Sequence, residues 1–321
     1  MKVLVIGGHG QLGQALRYCL PFSPLGSGAL ESGAKVTAVF LSHAELDLSG
    51  SLLCVQLAQY RPDVIINCAA FNAVDKAEHQ TAMAFAINAH GPELLARWCA
   101  DNQRRLLYLS SDYVFSGKKH SSPYVEFDSP SPLSVYGQSK LAGEQAVLAS
   151  CPSAMVIRTA WLYSHWGQNF LTAMRRRLLA SQPLSVVADQ FGSPTWAVAL
   201  AQVIWQVIAE DWHKNGCVDA SKFNGLFHYA GGGQGSWYEL VQEIKQCLIR
   251  QHLIPADGGS PITPISTAEY ITTFAPDAAP RPSFSALSSQ KLQSLLPDSP
   301  AWLWQPWRQQ LARCMTSQIT F

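Results

Sequence analysis

The chain has 321 residues, with 23 Lys and Arg against 22 Asp and Glu, which gives a net charge of +1, and 48% of its residues are hydrophobic. This composition excludes an intrinsically disordered chain, because disorder requires low hydrophobicity together with a high net charge. It also argues against a nucleic-acid-binding protein, which normally carries a basic excess, so we expect no nucleic-acid partner.

In the first half of the chain, short apolar segments alternate with segments of helical periodicity. The pattern predicts strands at 2–6, 35–41, 64–66, 105–109 and 155–157, helices at 10–20, 77–100 and 141–148, and a surface loop at 21–33. We expect the long helix at 77–100 to break at Gly91 and Pro92. Strands that alternate with helices indicate an α/β fold, a Rossmann-type doubly wound parallel sheet with helices on both faces.

The second half is less regular and rich in proline, which predicts a smaller, loop-rich C-terminal substrate lobe. We therefore divide the chain into a Rossmann domain at 1–160 and a lobe at 161–321, and we expect later segments to return to the main sheet.

One uncharged stretch, 191–209, is long enough to suggest a membrane span. Polar residues and Pro194 interrupt it, so we predict a buried helix instead, with Ser193 as its N-cap and Pro194 in the first helical position. The apolar run at the start of the chain is too short for a signal peptide, and the eight cysteines form no C-x-x-C pair. We expect a cytoplasmic protein with reduced thiols, no membrane partner and no metal, because the histidines show no metal-ligand spacing either.

A glycine-rich turn directly follows the first predicted strand and opens the first predicted helix. Gly7, Gly10 and Gly13 form a G-x-x-G-x-x-G pattern. Glycines let the backbone approach a pyrophosphate closely, and the helix N-terminus adds N–H donors and a partial positive charge. Because strand, turn and helix occur in the order that the motif requires, we predict a dinucleotide site.

The end of the second predicted strand bears on the choice of dinucleotide. An NAD enzyme normally has an acid there to bind the ribose 2′-OH, whereas residues 39–43 contain no acid, Arg or Lys. The absent acid removes a repulsion against the 2′-phosphate of NADP and so favours NADP weakly. His43 either contacts that phosphate or lies in a surface loop. Asp47 and Leu48 are placed where they could flank the adenine. The alternative for Asp47 is that it caps the next helix.

Tyr136 and Lys140 form a Y-x-x-x-K pattern and would share one face of a helix. The ammonium of Lys140 is expected to lower the pKa of the Tyr136 phenol, which would make it a better proton donor to a carbonyl under reduction. Ser111, at the end of the fourth predicted strand, supplies a hydroxyl that can polarise the same carbonyl. The glycine turn, this serine and Y-x-x-x-K, in that order, predict a nicotinamide-dependent reductase.

These and further motifs resemble the dTDP-4-dehydrorhamnose reductase family, within the extended short-chain dehydrogenase/reductase superfamily. The matching segments cover nearly the whole chain and lie at 10–13 (GQLG), 62–71 (PDVIINCAAF), 73–78 (AVDKAE), 109–115 (LSSDYVF), 136–144 (YGQSKLAGE), 158–163 (RTAWLY), 169–170 (NF), 189–196 (DQFGSPTW), 236–238 (SWY) and 281–283 (RPS).

The resemblance implies reduction of the C4 ketone of dTDP-4-dehydro-L-rhamnose to dTDP-L-rhamnose with NADPH or NADH. It implies that Tyr136 gives the proton, that Lys140 binds the nicotinamide ribose, and that Ser111 replaces the family's usual threonine. The implied cofactor-binding residues are Gly7, Gly10, Gln11, Leu12, Gly13, Asp47, Leu48, Ala69, Ala70, Phe71, Tyr136 and Lys140, and the implied sugar-nucleotide contacts are Ser111, Asp112 and Trp161.

The diphosphate of a sugar-nucleotide substrate also needs cations or hydrogen-bond donors. Arg281 and the cluster at 175–177 are candidates, although a solvated helix face is the favoured interpretation of that cluster. Asn169 is a further candidate because it follows the Trp161 loop.

Two departures from the family pattern stand out. Asn72 occupies a position that is often threonine, and residues 14–17 lack the carboxylate that some members use for a metal-bridged dimer. We therefore expect no metal and leave a homodimer open. Two alternatives also remain, namely another sugar-nucleotide epimerase or reductase and a non-catalytic regulatory subunit of the methionine adenosyltransferase type.

Overall fold

In the computed structural model, residues 1–25, 36–119, 122–215, 221–257 and 259–317 are described. The strands are β1 (Lys2–Ile6), β2 (Thr37–Leu41), β3 (Val64–Asn67), β4 (Arg105–Ser111), β5 (Met155–Thr159), β6 (Leu162–Tyr163), β7 (Leu184–Val187), β8 (Phe191–Gly192), β9 (Thr195–Trp196), β10 (Gly225–His228), β11 (Gly235–Ser236) and β12 (Ile262–Ile265). The helices are α1 (Gln11–Cys19), α2 (Leu53–Tyr60), α3 (Val74–His79), α4 (Thr81–Phe85), α5 (Gly91–Asp101), α6 (Val135–Ser150), α7 (Phe170–Leu179), α8 (Ala197–Asn215), α9 (Trp237–Arg250), α10 (Thr267–Phe274), α11 (Gln290–Ser294) and α12 (Trp307–Thr316).

Six parallel strands form the central sheet, in the order β10-β5-β4-β3-β1-β2. This arrangement confirms the predicted Rossmann-type α/β fold. β10 joins the sheet from the second half of the chain by pairing with β5. The chain runs outward in opposite directions from β1 and β3, so their carboxyl ends open a crevice of the kind that binds ligands in such folds.

Helices cover both faces of the sheet, which explains why β3 and β4 are buried along their whole length. Alternate residues of β1 point to opposite faces: Val3 and Val5 pack in one cluster with α1 and α8, and Leu4 and Ile6 pack in the other with α2, α5 and α6. On the first face, Trp205 donates its Nε1–H to the Leu16 carbonyl at 3.0 Å.

The helical stretch predicted at 77–100 does not break at Gly91 and Pro92. It is interrupted at Gln80, and from Thr81 it continues through a π-helical turn (Ala86–His90) directly into α5. Pro92 is tolerated because it closely follows the π-helical turn and because the Asn88 carbonyl, four residues earlier, accepts a hydrogen bond from the Tyr108 hydroxyl at 2.8 Å instead. Gly91 is required by packing, since a Cβ there would lie 2.5 Å from the Leu48 carbonyl oxygen.

The uncharged stretch at 191–209 is also only partly helical, and the predicted start at Pro194 is wrong. Its first residues form β8 and β9, and α8 begins at Ala197. Ser193 does not cap the helix, because its hydroxyl donates to the Gly233 carbonyl at 2.7 Å. No helix within the described ranges is both long and apolar enough to cross a bilayer.

The other predicted elements differ from the observed ones mainly at their ends. β4 continues two residues beyond the prediction, to Ser111, and α6 begins at Val135, which places the whole Y-x-x-x-K pattern on one helix. Residues 26–35, which include most of the predicted loop and the start of the second predicted strand, lie outside the described residues.

Candidate active site

A cleft of about 520 Å³ opens at the carboxyl ends of β1, β3 and β4. Segments far apart in sequence line it, namely the glycine turn, the ends of β3 and β4, the start of α6 and the loop around Trp161. The predicted site residues that line it are Gly7, Gly10, Gln11, Leu12, Gly13, Ala70, Ser111, Asp112, Tyr136, Lys140 and Trp161. The cleft therefore brings together most of the residues that the sequence singled out.

The glycine turn is shaped by two close contacts. Gly7 has a φ of +78°, in the left-handed region that glycine adopts readily, and a Cβ on Gly13 would lie 2.4 Å from the Gly7 carbonyl oxygen. Gly10 is the N-cap of α1 and provides no side-chain acceptor for the first-turn N–H groups. This helix terminus lines the cleft, so the turn fits the diphosphate of a dinucleotide.

α6 places Tyr136 and Lys140 in the cleft. Ser134 caps the helix by accepting a hydrogen bond from the Gly137 N–H at 3.2 Å, which fixes the first turn that carries Tyr136. The Tyr136 ring meets the Tyr113 ring edge-on, with centroids 5.5 Å apart. One turn later, Lys140 Nζ donates to the Leu109 carbonyl at 2.6 Å.

The prediction that Lys140 lowers the pKa of Tyr136 is wrong for this structure. Burial raises the pKa of the Tyr136 phenol to about 12, with a hydrogen bond to Ser111 acting in the opposite direction. Lys140 is itself desolvated, and burial lowers its pKa to about 7, opposed by Glu144 and Cys68. The physical reason is that the ammonium is directed at the Leu109 carbonyl while both groups lose water.

Ser111 and Asp112 are hydrogen-bonded to each other, and Asp112 is also hydrogen-bonded to a residue that the sequence did not single out. Ser111 Oγ donates to Asp112 Oδ1 at 3.1 Å, and Ser285 Oγ donates to Asp112 Oδ2 at 2.5 Å. Burial raises the pKa of the Asp112 carboxyl to about 6, and the two serine hydrogen bonds oppose that rise. The only sequence signal for Ser285 is its place two residues after the motif that ends at Ser283.

Trp161 lies flat against Trp237, with ring centroids 3.5 Å apart and an interplanar angle of 3°. Trp161 has a φ of +44°, and Gly192 provides the room for its ring, since a Cβ there would lie 2.4 Å from it. Trp237 is held by a hydrogen bond from its Nε1 to Gln190 Oε1 at 3.2 Å. Both rings line the cleft, so Trp237 is a site residue that the sequence analysis named only as part of a motif.

A second cavity, of about 340 Å³, lies beside the first, and Trp237 lines both. Arg281 and Arg177 line this second cavity. The Arg281 guanidinium also bonds both carboxylate oxygens of Asp75, at 2.9 and 3.0 Å. Arg281 is thus fixed in position beside the cleft that holds Tyr136.

Two further predicted residues, Asn169 and Asp47, have other partners in this structure. Asn169 caps α7 by accepting from the Thr172 N–H, and its Nδ2 donates to the Ser164 and Trp166 carbonyls. Asp47 does not cap α2, which begins at Leu53, because its carboxylate accepts from Ser49 N and Oγ. Those hydrogen bonds are the main cause of its lowered pKa.

Leu48, Ala69 and Phe71 lie outside the lining of the 520 Å³ cleft. Leu48 is buried in the core on the α5 side of the sheet. The Phe71 N–H donates to Asn88 Oδ1 at 2.8 Å. Exposed His43 lies 3.7 Å from the Asp47 carboxylate, in the surface segment that follows β2. Within the described ranges, no group of three or more His, Cys, Asp and Glu side chains could hold a metal ion.

Comparison with known proteins gives consistent matches. The model of the RmlD substrate binding domain family matches residues 1–319. The chain is 36% identical to a probable dTDP-4,6-dihydroxy-2-methyloxan-3-one 4-ketoreductase of Streptomyces antibioticus, over 91% of this chain and 88% of that protein. It is 35% identical to a dTDP-4-dehydrorhamnose reductase of Mycobacterium tuberculosis, over 90% and 86%. The crystal structure of a dTDP-4-dehydrorhamnose reductase from Bacillus anthracis in complex with NADP matches with a TM-score of 0.78 and 30% identity, over 99% of each chain.

Proposed function

Because the chain belongs to the dTDP-4-dehydrorhamnose reductase family of NAD(P)H-dependent oxidoreductases, we propose that it reduces the C4 ketone of dTDP-4-dehydro-L-rhamnose to give dTDP-L-rhamnose. The observation that carries this proposal is the convergence of Tyr136, Lys140 and Ser111 with the glycine turn in one cleft. We further propose that residues 1–160 bind mainly the cofactor and residues 161–321 mainly the substrate.

The cofactor would be held at three places. The first turn of α1 offers N–H groups to the diphosphate, Ala70 lies at the end of β3, and Lys140 would bind the nicotinamide ribose from α6. When bound, the reduced nicotinamide supplies the hydride for a ketone carbon. Asp47, Leu48, Ala69 and Phe71 remain proposed contacts near the adenosine and along the edge of the site.

Tyr136 is proposed as the proton donor. A phenol whose pKa is about 12 keeps its proton at neutral pH, and an alkoxide is basic enough to take that proton. Ser111 donates to Asp112 and acts to lower the pKa of Tyr136, so its hydroxyl lies near the phenol, where it can polarise the carbonyl oxygen. The Tyr136 phenolate that remains takes its next proton from water, directly or by way of Lys140, whose pKa of about 7 lets it give and accept a proton near neutral pH.

The sugar and its nucleotide would occupy the two adjacent cavities. Asp112 and Trp161 line the cleft that contains Tyr136, so they would contact the sugar. Arg281 lines the neighbouring cavity, and its guanidinium would bind the diphosphate, although it would have to share its donors with Asp75. In this structure Asn169 acts as a helix cap, so its proposed contact would be made while it holds α7 in place.

The name of the Streptomyces relative favours a second candidate substrate, another dTDP-linked 4-ketosugar.

The test mixes the purified protein with NADPH or NADH and dTDP-4-dehydro-L-rhamnose, and follows the absorbance of the reduced cofactor. Rapid oxidation supports the leading proposal. Oxidation only with a different dTDP-4-ketosugar supports the second candidate, and the absence of oxidation with every ketosugar and both cofactors overturns the reductase function.

A further inference from the structure

Three titratable side chains from separate segments surround the end of β2. His9 belongs to the glycine turn, Arg17 to the last turn of α1, and Glu45 to the segment after β2, and all three are exposed. The Arg17 guanidinium carbon lies 4.4 Å from the centroid of the Phe40 ring on β2. Hydrogen bonds from Ser42 lower the pKa of Glu45, and the charges of His9 and Arg17 add to that effect, so the three groups lie within electrostatic reach of one another.

This cluster is attached to the dinucleotide turn. The Gly8 N–H donates to the Leu41 carbonyl at 2.8 Å, which ties the end of β2 to the glycine turn. In folds of this kind the adenosine ribose lies beyond the end of the second strand, where its 2′ substituent is recognised. A surface cavity of about 640 Å³ adjoins the glycine turn on the α1 side, and its lining includes Gly8, His9 and Arg17.

We propose that Arg17, assisted by His9, binds the 2′-phosphate of NADP(H) and makes NADP(H) the preferred cofactor. The contact with the Phe40 ring positions the guanidinium, and in the described part of the chain no carboxylate forms a salt bridge with Arg17. An arginine held in this way can offer two parallel N–H donors to a phosphate. The preference for NADP(H) over NAD(H) would then depend on a residue of α1 and not on the end of β2.

Glu45 is the acid that the sequence analysis did not find, because it lies just beyond residues 39–43. Its Oε2 accepts from Ser42 N at 2.8 Å and from Ser42 Oγ at 2.7 Å, so the carboxylate turns back onto the end of β2. An ionised carboxylate in this place repels a 2′-phosphate. Glu45 therefore limits the preference for NADP(H), and Arg17 overcomes that repulsion.

The test measures cofactor binding without sugar, by titration calorimetry, for the parent, Arg17→Gln and Glu45→Gln. The ligands are NADPH and NADH, with 2′,5′-ADP and 5′-AMP as fragments that isolate the 2′-phosphate. We expect Arg17→Gln to raise the Kd of NADPH and of 2′,5′-ADP about tenfold, because one hydrogen bond to a charged group is lost. The Kd values of NADH and 5′-AMP should change by less than about twofold. We expect Glu45→Gln to lower the Kd of NADPH about two- to threefold, because the substitution removes one exposed charge that repels the phosphate.

The matched control is Arg313→Gln, which removes an exposed arginine from α12 whose guanidinium also lies over an aromatic ring, that of Trp302, and which should change no Kd. Arg17→Lys keeps the charge and should fall between the parent and Arg17→Gln. Equal changes in NADPH and NADH binding, no change in either, or a parent that prefers NADH would each overturn the proposal. So would selective weakening of NADH by Glu45→Gln, which would make Glu45 an acceptor for the ribose hydroxyl of NAD. The inference rests on the proposed function, which fails separately if the parent binds neither cofactor.

Discussion

Ser285 Oγ donates a 2.5 Å hydrogen bond to Asp112 Oδ2 across 173 positions of sequence. This contact brings the C-terminal part of the chain to the carboxylate that follows β4, directly beside Ser111. Because the hydrogen bond opposes the rise in the pKa of Asp112 that burial causes, Ser285 controls how readily that carboxylate ionises.

Ser285→Ala should therefore weaken substrate binding more than it slows turnover. Without this donor the pKa of Asp112 rises further above its ordinary value, so the acid is protonated over a wider pH range. We expect KM for the sugar nucleotide to rise about tenfold with a smaller change in kcat. The pH at which KM changes should also move upward. Ser283→Ala is the matched control, since its hydroxyl donates to the Gly117 carbonyl, and a variant that left both KM and its pH profile unchanged would contradict the role of Ser285.

Tyr136→Phe should remove most of the turnover. The substitution deletes only the hydroxyl, so the ring contact with Tyr113 stays and cofactor binding should change by less than about twofold. Loss of a general acid costs about 10²- to 10⁴-fold in rate, to be measured as kcat at saturating cofactor. The control is Tyr60→Phe on α2, where the tyrosine is partly buried against the core cluster that contains Leu4 and Ile6. A Tyr136→Phe variant with near-parent kcat would show that another group gives the proton.

Gly192→Ala should disrupt the stacked tryptophans. A Cβ at this position would lie 2.4 Å from the Trp161 ring, so the ring must shift, and a shift disturbs its parallel stacking on Trp237. Stacked indoles couple in circular dichroism, so we expect that coupling to fall, together with a KM increase of about tenfold or more. Trp237→Phe should remove the same coupling, whereas Trp98→Phe, a half-buried tryptophan on α5, should keep it. An unchanged spectrum in Gly192→Ala would contradict the packing described here.

His228 should make the protein sensitive to acid. Burial, followed by the neighbouring Arg158, lowers the pKa of His228 to about 3, so folding favours its neutral form. The stability that this provides is complete above the unfolded pKa of about 6.5 and is lost as pH falls towards 3, by up to about 1.4 kcal/mol per pH unit.

The measurement is the free energy of unfolding between pH 7 and pH 4 for the parent and His228→Gln. The parent should lose more stability than the variant over this range, so the gap between them should narrow as pH falls. Exposed His79→Gln should run parallel to the parent. Parallel curves for His228→Gln would show that His228 does not contribute to acid unfolding.

The fold was largely predictable because its signals are local. The β1 strand is recognisable from four consecutive apolar residues, Val3 to Ile6, that end at a glycine, and its observed bounds match the prediction. The stretch at 191–209 was harder to interpret, because β8 and β9 owe their conformation to partners at β11 and β6 that are distant in sequence. Composition alone cannot distinguish such strands from the start of a buried helix.

In the candidate site, too, some features follow from neighbouring residues and others depend on distant segments. Tyr136 and Lys140 are four residues apart, so a helix alone places them on one face. The sequence by itself thus determined the parallel sheet, the glycine turn and the residues of Y-x-x-x-K. Only the tertiary structure decided their electrostatics and neighbours, including the raised pKa of Tyr136, the hydrogen bond from Ser285 and the cover of Trp161 by Trp237. The reason is physical: periodicity and turn chemistry act over a few residues, whereas desolvation and side-chain contacts depend on which distant segments fold together.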